Sequence, residues 1–293
     1  MKKFMFEQLG IIGCGLMGGS FALAMKRAGL VKRVVGYSKS PSTTQRALHM
    51  GVIDVEAPSA LLAVSGADLV IIAVPVGAME ATFKAIRHFV SADVLFMDVG
   101  STKVEVVNAA NAVLGKNAGC FVPAHPIAGS ERAGVELATA DLYQGRQVIL
   151  TPTEKTNTVQ LNKAATLWRA LGCEVSMMTP QAHDAAYAAV SHLPHMIAFA
   201  YMQGLLGQEQ HAQLLSLAGS GFQDFTRIAA SEPKLWRDVL LANKKELIEQ
   251  SRHFQRALHS LEVMLNTNNG DALQLAIQQA SQARQAWKPR RPD

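Results

Sequence analysis

Along the first 180 residues the hydrophobic positions fall into short continuous runs separated by helical stretches. The runs QLGIIG, RVVGY, DLVIIAV, VLFMDV, CFVPA, RQVILT and CEVSMM are apolar at consecutive rather than alternate positions, as strands are when helices cover both faces of their sheet. Their alternation with helical segments predicts an α/β domain over residues 1–180, a mostly parallel Rossmann-type sheet with flanking helices. Beyond Pro180 the strand-like runs stop. Residues 234 to 269 contain neither Gly nor Pro, and Trp236, Val239, Leu240, Leu247, Phe254, Leu258, Leu261 and Leu265 recur there at three-, four- or seven-residue steps. That spacing predicts one long helix with a single apolar stripe. Residues 181–293 therefore read as an all-helical domain, with the stripe packed inside it or against a second copy; a homodimer is expected.

Composition narrows the class. A chain of 293 residues suits two domains better than one, and 49% hydrophobic with 17% charged residues excludes a disordered chain. The net charge of +5 comes partly from Lys288, Arg290 and Arg291. No stretch interleaves basic with aromatic residues, so no nucleic-acid partner is expected, and a small anionic ligand accounts for the excess equally well. The opening MKKFMFEQLG has too short an apolar run for a signal peptide, and Leu69 to Val76 falls far short of the ~20 residues of a membrane span. Cys14, Cys120 and Cys173 are odd in number and in no zinc-like spacing, which suggests reduced thiols and a cytoplasmic protein.

The first strand runs into Gly13-Cys14-Gly15-Leu16-Met17-Gly18, followed by the helical SFALAMKRAG. A GxGxxG alone is a weak signal, since a structural turn also uses glycines. After a strand and before a helix, however, the first glycine permits the tight turn, the second lets backbone approach a pyrophosphate, and the third lets helix and strand pack closely. Twenty residues beyond Gly18 stands Ser38, where NAD enzymes usually carry an acid against the ribose hydroxyl. The stretch Ser38-Lys39-Ser40-Pro41-Ser42-Thr43, with Arg46 beyond it, offers hydroxyls and positive charge. It predicts NADP, with NAD as a second acceptor, unless these residues form only a polar turn.

Ligands of an open parallel sheet collect at the carboxyl ends of its strands. Four strand ends carry suitable devices: the glycine loop, Val74-Pro75, the turn Asp98 to Lys103, and His125-Pro126-Ile127-Ala128-Gly129-Ser130-Glu131. Hydride leaves a carbinol carbon readily only as the hydroxyl proton is removed, and neutral imidazole accepts a proton near neutral pH. His125 is the expected general base, and the Ser101 hydroxyl could bind the same oxygen or orient the ring. The bland alternatives are a satisfied core histidine and an N-cap serine. In the helical half, His192 and His195 of SHLPH share a helical face, with Pro194 bending or starting the helix. No carboxylate or cysteine stands at matching spacing, so no metal is expected. Arg227 suits a carboxylate, or else a salt bridge to Asp224.

In this order and spacing, GIIGCGLMGGS, DVGSTK, HPIAGSERAG, SHLPH, GSGFQDFTRIA and PKLWRD resemble prephenate and arogenate dehydrogenases over residues 8 to 265. The resemblance supplies the small-molecule substrate, a cyclohexadienyl acid that is oxidatively decarboxylated on the way to tyrosine. It implies that His125 is the catalytic histidine on the ring hydroxyl and Ser101 its neighbour. It further implies that Arg227 grips a substrate carboxylate, that His192 and His195 line the pocket with Glu131 nearby, and that the helical domain forms the dimer. It also implies a monofunctional form, since no chorismate mutase segment precedes the glycine loop and little chain follows residue 265. SKSPST is similar to the SRxxST of NADP-using arogenate dehydrogenases, whereas the second histidine of SHLPH and the intact DFTR are similar to prephenate users; a dual-substrate cyclohexadienyl dehydrogenase reconciles the two. Two rival readings are an NADP-dependent β-hydroxyacid dehydrogenase, whose acid/base would be Lys244 or Lys245, and an NADP-binding sensor without turnover. The first leaves His125, SHLPH and DFTRIA without a role, and the second predicts nucleotide binding alone.

Overall fold

The computed structural model describes residues 5–91, 93–130 and 132–288. Strands β1 (Phe6–Ile12), β2 (Val31–Tyr37), β3 (Val55–Glu56), β4 (Leu69–Ile72), β5 (Leu95–Asp98) and β6 (Phe121–Val122) form one parallel sheet in the order β3-β2-β1-β4-β5-β6. The order reverses direction between β1 and β4, which opens the crevice where doubly wound sheets bind nucleotides. Helices α1 (Leu16–Arg27), α2 (Pro41–His49), α3 (Ala60–Val64), α4 (Met79–Ile86), α5 (Val104–Leu114) and α6 (Thr158–Ala170) accompany the strands. Alternate strand residues serve opposite cores. Leu69, Ile71, Leu95 and Met97 pack with Phe21, Tyr143 and Trp168, while Val70, Ile72 and Phe96 pack with Phe83, Val106 and Phe121. Burial on both faces is the physical origin of the continuous apolar runs.

The segment CFVPA, expected as one strand, divides at Pro123. Proline has no N–H for a ladder, and the next amide, Ala124 N–H, donates to Asp98 Oδ1 at 3.0 Å instead of to a neighbouring strand. Beyond the break, β7 (Ala124–Pro126) enters a separate three-stranded sheet with β8 (Gln147–Leu150) and β9 (Glu174–Met177). There β7 runs antiparallel to β8, and β8 parallel to β9. His125 therefore sits just past the carboxyl edge of the large sheet. The two-residue β3 went unpredicted because Val55 and Glu56 make no recognisable run.

After β9 the described chain is helical: α7 (Pro180–Tyr187), a π-turn (Ala188–His192), α8 (Leu193–Leu206), α9 (His211–Ser216), α10 (Ser220–Thr226), α11 (Pro233–Ala242), α12 (Lys244–Asn266) and α13 (Gly270–Ala286). The single long helix expected from residue 234 onward is two helices. They break at Asn243, whose backbone leaves helical geometry (φ −111°, ψ 26°), and whose amide donates to the Asp184 carbonyl at 2.7 Å. Of the stripe, Val239 and Leu247 are buried, whereas Phe254, Leu258 and Leu265 are exposed. Among the described residues no helix is long and apolar enough to cross a membrane, and the three cysteines are free thiols.

One carboxylate joins the halves, and a second ties the strand ends of the site together. Asp184 of α7 accepts the amides of Lys103 (2.8 Å) and Val104 (2.9 Å), capping α5 from outside its own sequence and placing negative charge at the positive helix end. Asp98 at the end of β5 holds the Lys103 ammonium at 2.5 Å, with both side chains wholly buried. It also accepts the Gly100 amide at 2.8 Å, while Lys103 Nζ donates to the Ala124 carbonyl at 2.7 Å. Lys103→Met removes one partner of a buried pair and leaves a carboxylate without its counter-charge. Denaturant unfolding should show a loss of about 3 to 5 kcal/mol, far more than the loss of an exposed lysine such as Lys32 would cause.

Candidate active site

The glycine loop has the division of labour that its spacing implies. Gly13 adopts φ +100°, and a Cβ there would lie 2.3 Å from the Ala73 carbonyl oxygen, so only glycine fits. A Cβ on Gly18 would meet the Gly13 carbonyl oxygen at 2.1 Å, yet a Cβ on Gly15 would meet nothing within 4 Å. The middle glycine thus faces open space at the start of α1, whose first turn has no acidic residue and no side-chain cap. Uncapped amides beside an open backbone suit a pyrophosphate. Leu16 is buried below the loop, and the Met17 carbonyl is pinned by the Tyr143 hydroxyl at 2.7 Å.

At the end of β2, Ser38 Oγ accepts the Cys14 amide at 2.8 Å, and the Ser38 amide donates to Thr44 Oγ1 at 3.1 Å. Ser38 therefore braces the glycine loop from the position where an acid would meet a ribose. Lys39 is exposed and Thr43 half-buried in the first turn of α2, next to the Ser40 and Ser42 hydroxyls, which lie 2.9 Å apart. Arg46 is engaged with Glu136. Val74 and Pro75 follow β4, with Val74 packed on the core and Pro75 exposed.

His125 is 9% exposed, buried among aromatic and ionisable groups. Its Nδ1 lies 2.8 Å from His183 Nε2, and His183 Nδ1 lies 2.8 Å from Asp184 Oδ1. Tyr187 stacks on His183 (4.6 Å between centroids, 23° between planes) and meets His125 edge-on at 4.9 Å. Burial holds the His125 imidazole well below its ordinary pKa, and the neighbouring His183, Lys103 and His192 push the same way. The ring is therefore neutral at physiological pH and able to accept a proton.

Ser101 is half-buried in the turn before α5. It is not the N-cap of that helix, which begins after Lys103 without a side-chain cap of its own. His192 closes the space behind it. That ring is 1% exposed and takes a hydrogen bond on Nδ1 from the Asn243 amide at 3.1 Å. Its pKa falls to about 4 through burial, with Asp184 opposing and His183 and His195 reinforcing. The Ser101 backbone is near enough to favour the charged ring without completing a hydrogen bond of ordinary geometry to Nε2. His195 is half-buried, bonded through Nδ1 to the Ser191 carbonyl (2.9 Å), and stacked on Trp236 at 3.5 Å and 19°.

The structure thus gathers Ser101, His125, His192 and His195 about one locus, and adds His183, Asp184, Tyr187, Trp236 and Asn243. Arg227 is exposed at the start of a 3-10 turn, Arg227–Ala230, that follows α10 and packs on α8. Glu131 lies outside the described residues. Sequence reasoning passed over His183 and Asp184 because a His-Asp pair inside a helix belongs to no motif; their only local signal is two ionisable residues on an otherwise alanine-rich turn. Among the described residues no group of His, Cys, Asp or Glu could hold a metal.

Comparison with known proteins points to one family. The family description "Prephenate dehydrogenase, nucleotide-binding domain" matches residues 21–177, and "Prephenate dehydrogenase, dimerization domain" matches residues 179–279. The chain is 34% identical to the cyclohexadienyl dehydrogenase of Zymomonas mobilis over 97% of each chain. It is 35% identical to the prephenate dehydrogenase of Bacillus subtilis, over 90% of this chain and 71% of that one. The crystal structure of A. aeolicus prephenate dehydrogenase with hydroxyphenyl propionate and NAD+ superposes with a TM-score of 0.89 at 34% identity, covering 97% of this chain and 99% of that one. A dinucleotide cradle, a buried neutral histidine at the sheet edge and these likenesses together identify the chain as a member of the prephenate dehydrogenase family of nicotinamide-dependent oxidoreductases.

Proposed function

We propose that this chain oxidises and decarboxylates prephenate, arogenate or both, with NADP as the preferred acceptor and His125 as the general base. The observation that carries the reading is a neutral imidazole, buried beside His183 and near His192 at the carboxyl edge of a sheet whose glycine loop leaves Gly15 open for a dinucleotide. A nicotinamide bound on that loop would supply the hydride acceptor. The protein's part is to take the ring hydroxyl's proton on His125 as the carbinol becomes a carbonyl, with Ser101 on the same oxygen. His195, held flat against Trp236, and Arg227 orient the substrate's carboxylates. Carbon dioxide then leaves from the ring carbon opposite the new carbonyl, and aromatisation makes the step effectively irreversible.

Two features favour NADP. No carboxylate stands at the end of β2, where the Ser38 hydroxyl braces the loop, and Lys39, Ser40, Ser42 and Thr43 cluster at the start of α2, as a 2′-phosphate requires. The name of the Zymomonas relative supports breadth toward both ring acids. A homodimer through the helical half is supported by the description of the matching domain and by the exposed Phe254, Leu258, Leu265 and Ile277.

Steady-state assays of prephenate and arogenate, each with NAD and NADP, test the reading directly, and failure of both acids with both acceptors would reject it. His125→Asn should lower kcat by ~10²-fold or more while leaving KM little changed. Because the imidazole pKa is depressed, the base stays unprotonated on acidification until the pH falls through that lowered value. The acid limb of kcat/KM should therefore lie below pH ~6.5 and be absent from the Asn variant. Arg227→Ala should act mainly on the KM for substrate; a change confined to thermal stability would assign Arg227 to the fold. Ser38→Asp keeps an acceptor for the Cys14 amide but adds a charge that repels a 2′-phosphate, so the ratio of kcat/KM for NADP to that for NAD should fall at least ~10-fold, about the effect of one charged contact.

A further inference from the structure

The hydrogen-bond chain behind His125 has only one consistent assignment of protons. Asp184 accepts the Lys103 amide on Oδ1 and the Val104 amide on Oδ2, so it stands as an acceptor at the mouth of α5. His183 Nδ1, 2.8 Å from Oδ1, must therefore carry a hydrogen, which leaves His183 Nε2 with a bare lone pair. The facing atom, His125 Nδ1 at 2.8 Å, must then carry the hydrogen between the rings. His125 Nε2 is left as the basic nitrogen. His192 is held in the opposite tautomer, because Asn243 Nδ2 donates to its Nδ1 and to the Asp184 carbonyl, leaving the hydrogen on Nε2.

We propose that His183 and Asp184 are positioning residues that fix the tautomer of His125 and receive the charge of the proton it abstracts. This rests on His125 being the base of the proposed reaction. As the substrate O–H bond breaks, its electron pair stays with oxygen to make the carbonyl, the ring C–H pair leaves as hydride to the nicotinamide, and the proton bonds to His125 Nε2. The N–H bond at His125 Nδ1 then breaks and a new one forms at His183 Nε2. The imidazolium now lies against Asp184, and no protein group is oxidised or reduced. The reverse shift, with loss of the proton from Nε2 after product leaves, restores the resting state.

The charges around each ring favour this transfer. His125 faces His183, Lys103 and His192, all of which oppose a positive charge on it, together with the Tyr187 ring. His183 faces Asp184 in direct contact and Asp98 beyond it, with Lys103 as the opposing cation and Tyr187 stacked on its face. A cation is stabilised beside a carboxylate and disfavoured beside an ammonium group, so the second ring is the better resting point for the proton.

The decisive measurement is 15N NMR of histidine-labelled, substrate-free protein at neutral pH, with the His125 signals assigned by their loss in His125→Asn. The expected result is a neutral His125 bearing hydrogen on Nδ1 and none on Nε2; the reverse tautomer would overturn the proposal. Two variants separate the functions. His183→Phe should lower kcat ~10²-fold or more with KM little changed, the scale of a mis-set general base. In His183→Gln the side-chain oxygen can still accept from Nδ1 but cannot take up a proton, so the NMR tautomer should persist while kcat falls. A Gln variant with wild-type kcat would overturn the relay. Because the NMR reading needs no substrate, inactivity on both ring acids would reject the proposed reaction and still leave the tautomer decided.

Discussion

Lys103 carries an ammonium group to a point that water does not reach, and most of the site is arranged by what has to surround it. Its charge is met by Asp98, a second of its N–H donors by the Ala124 carbonyl, and the same Asp98 carboxylate holds the amides of Gly100 and Ala124. Stripping water from a carboxylate and an ammonium is costly unless geometry and extra hydrogen bonds compensate, and here both oxygens of the acid are used. The interaction fixes the end of β5 against the start of β7. It thereby sets the position of His125, one residue past the carbonyl that Lys103 grips. The backbone amide of that lysine is in turn held by Asp184, so one residue links sheet, active-site strand and helical half.

Two domains share one site here through contacts aimed at particular atoms. The polar contacts that cross from α7 to the α/β half are specific: the Asp184 carboxylate on two amides, and His183 against the His125 imidazole. Polar contacts of this kind fix orientation more sharply than they stabilise. A site that must hold a proton acceptor within hydrogen-bond reach of a substrate requires such orientation.

The parts of the molecule that could be read from the chain are those determined by short-range sterics and burial. Gly13 and Gly18 announce their jobs because the lack of a Cβ is itself the requirement, and strands such as Leu69–Ile72 announce themselves because both faces are covered. What escaped was decided by distant partners. Nothing local in CFVPA says that the amide after Pro123 will be captured by Asp98. The glycine- and proline-free run from residue 234 looks like one helix because Asn243 tolerates a helix well enough; the break follows from bonds to Asp184 and His192 on another element. His125 could be picked out from its strand end and its neighbours in sequence. His183, which completes it, became visible only through the crossing of α7 behind β7. Ser38 lay between these cases: its position was legible, whereas its bond to the Cys14 amide was not.

The π-turn at Ala188–His192 has a consequence for how the two histidines of SHLPH are used. A π-turn spreads one extra residue into the helical circuit, advancing everything after it by roughly 100° relative to an unbroken α-helix. Pro194, whose missing N–H would interrupt regular bonding, falls just beyond this widened circuit. Both rings reach the same indole: His192 meets Trp236 edge-on at 6.1 Å while also bonded to Asn243, and His195 lies flat on it at 3.5 Å. Losing a single residue from that circuit would swing α8 and all it carries like a key turned in a lock, leaving both halves of the chain folded and the pocket between them mismatched.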